Sequence, residues 1–298
     1  LKKRYGWPEG LKEYSIKAQV LNYELIRPMF EAFEVNKYKA TGVIQWMLNS
    51  AWPEMYWQLY DYYLMPTGAY YGARKACAPL HLIYHYGDHG VYLSNDLLQD
   101  QKGLEAEIEM FSTTGKKLHH QSLQTTIHAN YVKRIANVEP YLPQSTDVRF
   151  LRLNLYRDGE KIHENLYWIS GKKDMMDYEA EVDPWYFYTP SKQYADYTVL
   201  NNLSDVELKT FTRVRDEGNG QIVTIKLENE SQSPAFFIEM VLEDRKTGQA
   251  VAPVFWSDNY VTLFPGENKK LEVKVNTRSP LNLKIRGWNI VRDQQYIN

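Results

Sequence analysis

Apolar residues recur at helical spacing across 11–34: Ile16, Val20, Tyr23, Ile26 or Arg27, Phe30 and Phe33, with Lys12, Lys17, Glu24, Glu31 and Glu34 between them. That period predicts an amphipathic helix, with Ser15 as its N-cap and the three glutamates as its solvated side. Pro28 removes one backbone bond and predicts a bend or two shorter helices. Next comes a short run of Gly-Val-Ile-Gln-Trp-Met at 42–47, closed by Leu-Asn-Ser-Ala-Trp-Pro. An apolar run bounded in this way predicts a strand buried on both faces, as in a parallel sheet wrapped by helices. An aromatic loop follows, and 68–80 reads as a small-residue helix able to pack closely on its neighbour, ended by Pro79.

From His81 the period changes to two. Segments 81–86, 91–95, 104–110, 124–129, 148–156 and 162–169 read as strands, with turns at Gly87–Gly90 (Gly-Asp-His-Gly), Thr114-Gly115 and Asp158-Gly159. Short strands at this density predict an immunoglobulin-like sandwich. A second set lies at 206–213, 221–228, 235–244, 251–256, 261–264 and 270–275. Between the two sets, 171–205 breaks the rhythm and reads as a linker packed by its own aromatics, notably Trp185-Tyr-Phe-Tyr188. The predicted fold class is therefore multidomain, α/β plus all-β. Its divisions are a helix-strand-helix portion at 1–84, a β-sandwich at 85–170, the linker at 171–205 and a C-terminal β-sandwich at 206–298. An α/β pattern that opens midway and ends in sandwiches reads as the tail of something larger.

Composition narrows the function. The chain has 298 residues, 44% hydrophobic and 14% aromatic, with 24 Tyr and 8 Trp. Such rings serve cores, interfaces or sugar-stacking surfaces. A net charge of −2 without a basic block argues against nucleic acid or an anionic membrane as partner. No apolar run is long enough for a membrane span and no signal peptide is visible. Cys77, the single cysteine, excludes an internal disulfide and reads as a buried small hydrophobe.

Searches for catalytic patterns give little. No phosphate loop and no Gly-x-Ser-x-Gly elbow occur. His81, His85 and His89 are four apart but fall on a strand and its turn, which predicts partly exposed histidines and no metal site; His119-His120 reads the same way. No cofactor is implied. Glycosidic chemistry needs two carboxylates across a sugar, and Glu54 and Asp61 have no partner at a telling spacing. Trp46 and Asn49, at the end of the predicted strand, and Asp61 beyond it are the candidate substrate-binding residues: an indole face suits a pyranose, and an amide both donates to and accepts from hydroxyls; the structural alternatives are Trp46 filling a core, Asn49 forming a turn and Asp61 holding its loop. Trp52, before Pro53, reads as packing.

The blocks Gly-Val-Ile-Gln-Trp-Met-Leu-Asn-Ser-Ala-Trp-Pro (42–53), Leu-Tyr-Asp-Tyr-Tyr-Leu (59–64) and Tyr-Tyr-Gly-Ala-Arg-Lys-Ala-Cys-Ala-Pro-Leu-His (70–81) closely resemble the last strand and helix of the catalytic barrel in glycoside hydrolase family 2. Lys-Ala-Gln at 17–19 resembles the preceding barrel helix, and Ala-Phe-Phe-Ile at 235–238 and Pro-Val-Phe-Trp-Ser-Asp-Asn-Tyr at 253–260 the C-terminal sandwich. The exo-β-D-glucosaminidase branch is most similar, with endo-β-mannosidases and β-mannosidases nearby. The resemblance implies the C-terminal piece of a (β/α)8 barrel followed by two immunoglobulin-like sandwiches. It implies a retaining β-glycoside hydrolase whose acid/base and nucleophile both lie before residue 1, so this chain contributes no catalytic residue and is inactive alone. Its partners would be a β-linked oligosaccharide and the N-terminal remainder of the enzyme, and its location secreted or periplasmic. A non-catalytic, carbohydrate-binding pair of sandwiches is the alternative from another class.

Overall fold

The computed structural model describes residues 1–40, 42–54, 56–185, 188–291 and 294–297. It opens with three helices: α1 (Lys2–Tyr5), α2 (Leu11–Val35) and α3 (Gly68–Ala76). The rest is strands: β1 (Leu80–His85), β2 (Gly90–Asn95), β3 (Gln101–Ser112), β4 (Lys117–Ile127), β5 (Tyr131–Asn137), β6 (Val148–Arg157), β7 (Glu160–Ser170), β8 (Met175–Met176) and β9 (Ser191–Gln193). They continue as β10 (Lys209–Glu217), β11 (Gly220–Glu228), β12 (Ala235–Asp244), β13 (Val254–Trp256), β14 (Val261–Leu263), β15 (Asn268–Val275), β16 (Leu281–Arg286) and β17 (Gln294–Tyr296).

The strands form a sheet β1-β2-β5 facing a sheet β4-β3-β6-β7, then β10-β11-β15-β13 facing β14-β12-β16-β17, with β8-β9 as a small hairpin. Alternation decides which residues face inward. In β15, Leu271, Val273 and Val275 are buried while Glu272 and Lys274 are exposed, the signature of a strand with one face on a core. The first pair of sheets closes on Leu82, Leu93, Ile108, Leu153 and their neighbours. The second closes on Ile225, Met240, Val273 and Leu283, in a cluster that runs on through Phe236, Phe237 and Trp168 to Tyr23 of α2. A bulge between Ala235 and Ile238, with Phe237 at φ 55, buries both phenylalanines of the Phe236-Phe237 pair.

Several expectations need correction. Residues 42–47 form no strand: Ile44 is 90% exposed and Trp46 72%. A central parallel strand exists only through hydrogen bonds to neighbours on both sides, and every strand ladder among the described residues is antiparallel and lies elsewhere. Thr41 and Met55, within the same stretch, lie outside the described residues. The helix starts after Gly10 rather than at Ser15, with the Glu13 carboxylate accepting the Glu9 N–H at 2.6 Å. It also runs unbroken through Pro28, held by packing on two sides that offsets the lost backbone bond.

The glutamates of α2 are the largest departure. Glu24 and Glu31 are buried, and Glu34 is half-buried against Ser94. Both carboxylate oxygens of Glu24 accept from Arg4 Nη2, at 2.6 and 2.7 Å; Glu31 accepts from the Tyr167 hydroxyl at 2.6 Å and sits beside Arg27. The charged face of α2 thus docks on the sandwiches, and its apolar residues Leu11, Leu25 and Met29 face outward. The third side meets α3 at very close range. A β-carbon on Gly72 would lie 2.7 Å from the Tyr23 carbonyl oxygen, and one on Gly68 2.4 Å from that of Gln19, so only glycine fits there.

The linker is also unlike its expectation. Ala195, Tyr197 and Leu200 are buried, with Tyr197 stacked on Tyr5 at 5.1 Å, but Tyr178, Trp185 and Tyr188 are exposed. Tyr186 and Phe187 lie outside the described residues. Cys77 is exposed at the end of α3 rather than buried; partial burial, with Glu34 and Asp96 nearby, holds its thiol above the ordinary range.

Candidate functional site

The outward side of α2 and the loop 42–67 make one surface. The loop is tied down by a few backbone bonds: Leu59 and Tyr60 donate to the Leu48 carbonyl, each at 3.0 Å, and Thr67 donates to Leu59. Asn22 of α2 donates to the Tyr56 carbonyl at 2.7 Å. Ile44, Trp46, Leu48, Trp52, Tyr56 and Tyr63 all remain exposed on it, so Trp52 does not pack as expected. A contiguous aromatic and aliphatic surface of this kind marks a site that meets another surface or a ligand.

The three candidate residues come only partly together. Asn49 bridges to Tyr60, next to Asp61 in the chain, while its amide donates to the Ser50 carbonyl at 3.3 Å. Asp61 lines a cavity of about 410 Å³ with Gln19, Asn22, Glu54, Tyr62 and Arg286. Trp46 is on the same loop but not in that lining. Asp61 Oδ1 accepts the N–H groups of Tyr63 and Met65, both at 2.9 Å, and so holds the turn. Burial nonetheless lifts its carboxyl above the ordinary value, with Glu239 adding to the rise and Arg286 opposing it. A carboxyl that both shapes a loop and faces a cavity suits the binding of a hydroxyl or an ammonium. Glu54 is exposed and accepts from Gln58.

Sequence reasoning missed a second concavity, a cleft of about 890 Å³ between the two pairs of sheets and α3. Its floor is an ionic network. Lys75 pairs with Asp258 at 2.9 Å, Lys269 with Glu164 at 2.9 Å and with Asp258 at 3.4 Å, and Arg152 joins Glu109 to Glu267 at 2.7 Å each. These residues lie on α3, β3, β6, β7 and β15 and the loops beside them, far apart in sequence, so no local spacing could announce them. Glu107, Glu109 and His120 could offer metal ligands within 4.8 Å of one another. Arg152 and Lys117 already hold both oxygens of Glu109, so a divalent ion would have to displace two cations. The arrangement reads as a charged joint.

Of the histidines, His85, His119 and His120 are partly or fully exposed as expected, but His81 and His89 are not. His81 is fully buried in β1, its ring 5.5 Å from that of His163. His89 is buried too: Lys173 donates to its Nε2 at 3.0 Å, which leaves Nδ1 as donor to the Tyr84 hydroxyl at 2.8 Å. Burial lowers His81 to about 4. A base depressed in the folded state takes up its proton more readily when unfolded, so its contribution is full above its unfolded value of about 6.5 and is lost as pH falls toward 4. Urea unfolding at pH 7.5 and 4.5 should therefore show His81→Asn losing less stability on acidification than the wild type, by about 3 kcal/mol. An identical loss in both proteins would remove His81 from the acid response.

Comparison with known proteins follows the same outline. Residues 185–290 match the exo-β-D-glucosaminidase Ig-fold domain, and 87–174 the mannosidase Ig/CBM-like domain. An exo-β-D-glucosaminidase of Arthroderma benhamiae is 35% identical over 291 residues, covering 96% of this chain and 32% of the relative. One of Hypocrea virens is 36% identical over 296 residues, covering 97% of this chain and 33% of the relative. The crystal structure of the exo-chitosanase CsxA of Amycolatopsis orientalis superposes with a TM-score of 0.90 at 31% identity, over 99% of this chain and 36% of that one. The chain spans about a third of the length of these relatives.

Proposed function

We propose, from the chain's homology to the C-terminal region of exo-β-D-glucosaminidases along nearly its whole length, that it is the C-terminal third of such an enzyme in glycoside hydrolase family 2. In this reading 1–84 completes a (β/α)8 barrel, 85–170 and 206–298 are immunoglobulin-like sandwiches that buttress it, and 171–205 joins them. The complete enzyme removes β-linked glucosamine with retention, through two carboxylates outside this chain, so the chain alone is inactive. Its outward face supports this. Leu11, Leu25, Met29 and Ile44 form an uncovered apolar surface that the rest of a barrel would bury, and 42–47 would become a strand once flanked. Trp46, Asn49 and Asp61 are its contribution to the sugar subsite, and export, secreted or periplasmic, is proposed on the same basis.

A second reading, β-mannosidase or endo-β-mannosidase, is favoured by the match of 87–174 to a mannosidase domain. Chromogenic β-glucosaminide and β-mannoside assays separate the two. The 298-residue chain should hydrolyse neither, and the chain joined to its N-terminal remainder should hydrolyse the glucosaminide. In that complete enzyme Trp46→Ala should lower kcat/KM by about 10- to 100-fold, the loss of one stacked, desolvated contact. Mannoside cleavage alone would transfer the reading to the second branch. Hydrolysis by the chain alone would overturn the placement of the carboxylates.

A further inference from the structure

No basic block is visible along the chain, but strand alternation assembles one. In the sheet β10-β11-β15-β13, Val223, Leu271 and Trp256 face the core, so the residues that alternate with them face outward. The register sets these outward residues in rows across the sheet. One row is Phe211, Lys226 and Lys270; the next is Arg213, Thr224 and Glu272; a third is Arg215, Ile222, Lys274 and Phe255. Lys209 and Glu228 close the face at one end and Glu217 at the other. Lys209, Arg213, Arg215, Lys226, Lys270 and Lys274 thus outnumber Glu217, Glu228 and Glu272, in a chain whose net charge is −2. The lysines hold exposed ion pairs: Lys226 with Glu228 and Lys209 with Glu230, each at 2.6 Å, Lys274 with Glu217 at 2.8 Å and Lys270 with Glu272 at 3.8 Å. Such pairs are worth little and exchange readily with another anion. Arg213 and Arg215 are exposed and form no ion pair among the described residues. Phe211 is 54% exposed and Phe255 60%, one on each edge strand. Strand spacing and rise put them about 14 Å apart across the sheet and about 13 Å apart along it. A line from one ring to the other passes beside Lys226 and Lys274.

We propose that this sheet face is a docking surface for an acidic polysaccharide, with Phe211 and Phe255 stacking on sugar rings and Arg213, Arg215, Lys226 and Lys274 taking its carboxylates. Charge complementarity and shape select the occupant. Guanidinium forks match planar carboxylates. Glu217, Glu228 and Glu272 can accept from the hydroxyls that a sugar chain carries between its acid groups, whereas a polymer with a phosphate at every unit would meet them as like charges. A flat face has nothing to enter a duplex groove, and rings lying on a sheet do not reach into a bilayer. None of these residues enters the glucosaminidase reading, so that reading can fail without this one.

The test is affinity electrophoresis of the 298-residue chain in non-denaturing gels containing polygalacturonate, each protein read against its own mobility in neutral dextran. Retardation is expected with polygalacturonate only and should fade as salt rises from about 0.05 to 0.3 M. Arg213→Gln/Arg215→Gln should weaken the apparent affinity about tenfold, and Phe211→Ser/Phe255→Ser by about the same factor. Arg213→Lys/Arg215→Lys keeps the charge without the fork and should recover part of the loss. Lys102→Gln/Lys116→Gln, exposed on the first pair of sheets, should bind as wild type. As changes to exposed side chains, none should move the thermal melt. No retardation of the wild type overturns the proposal, as does an equal loss in the Lys102/Lys116 variant. Loss in the arginine variant without loss in the phenylalanine variant also overturns it, since that is simple ion exchange. A single-stranded oligodeoxynucleotide or phosphatidylserine vesicles that release the chain at lower concentration than free polygalacturonate would assign the face to that partner instead and overturn the polysaccharide.

Discussion

Arg27→Leu should lower unfolding free energy by about 3–5 kcal/mol, the cost of stranding a buried charge by removing its partner. Arg27 is fully buried. Its guanidinium lies 3.9 Å from the Tyr167 ring centroid, its Nη1 donates to the Leu166 carbonyl at 2.6 Å, and Glu31 is its carboxylate neighbour at 3.7 Å. Burial pushes Glu31 up to about 7 even with Arg27 beside it. A carboxyl raised in the folded state contributes stability that is full below its unfolded value and is lost as pH rises through 7. The variant's deficit should therefore be larger at pH 8 than at pH 5.5, the opposite sense to His81. Arg27→Leu/Glu31→Gln keeps an acceptor for the Tyr167 hydroxyl without the charge and should recover at least half of the loss. Urea unfolding at the two pH values reads all of this. A single variant within 1 kcal/mol of wild type, about a fivefold change in the folded ratio, would mean that the pair is solvated in solution.

Trp168→Ala should cost a further amount of the same order, about 3–5 kcal/mol, because a large buried ring leaves a cavity that its surroundings cannot refill. Trp168, on β7, has its ring 5.2 Å from Phe236, 6.1 Å from Phe237 and 5.9 Å from Tyr23, and its Nε1 donates to the Tyr5 hydroxyl at 2.9 Å. Trp168 belongs to the first pair of sheets, and those partners come from the second pair and from two helices. The loss should appear as one unfolding transition separating into two, since the shared ring is what couples the parts. Trp168→Phe keeps most of the volume and should cost about half as much. A small cost with the transition unchanged would place the coupling in the ionic cleft instead.

The sequence was most legible where one face of a strand alone is buried. The alternation in 270–275 and the Asp158-Gly159 turn, with φ of 52 and 82, appear where expected. Strand β4 is legible only at its end because its inward face carries His119, Gln121 and Thr125 with Leu123 as the one apolar residue before Ile127, its sole fully buried residue. Strand β5 was missed for the same reason, with no fully buried residue. Strand β16 carries a legible alternation of its own in Leu281, Leu283 and Ile285. The helix misled because a buried arginine–glutamate face has the same letters as a solvated one. Only its partners, Leu166 and Tyr167 more than 130 residues away, distinguish them. At the site, the aromatic loop was visible as a composition and Asp61 as a residue able to hold it, which its bonds to the Tyr63 and Met65 N–H groups do. The ionic cleft required them altogether.

The long reach of those partners also sets an order in time. Leu166, Tyr167 and Tyr197 are synthesised some 130 to 190 residues after Arg4, Glu24, Arg27 and Glu31, which they meet in the fold. At ordinary elongation rates that is about 10–40 s. Throughout that interval α2 has neither its charged docking face nor its glycine-bearing neighbour's final setting. Helix α2, made before every strand of the described chain, is thus among the last elements to be seated. A nascent chain stalled before residue 165 should expose α2 to protease, while one released after residue 200 should protect it.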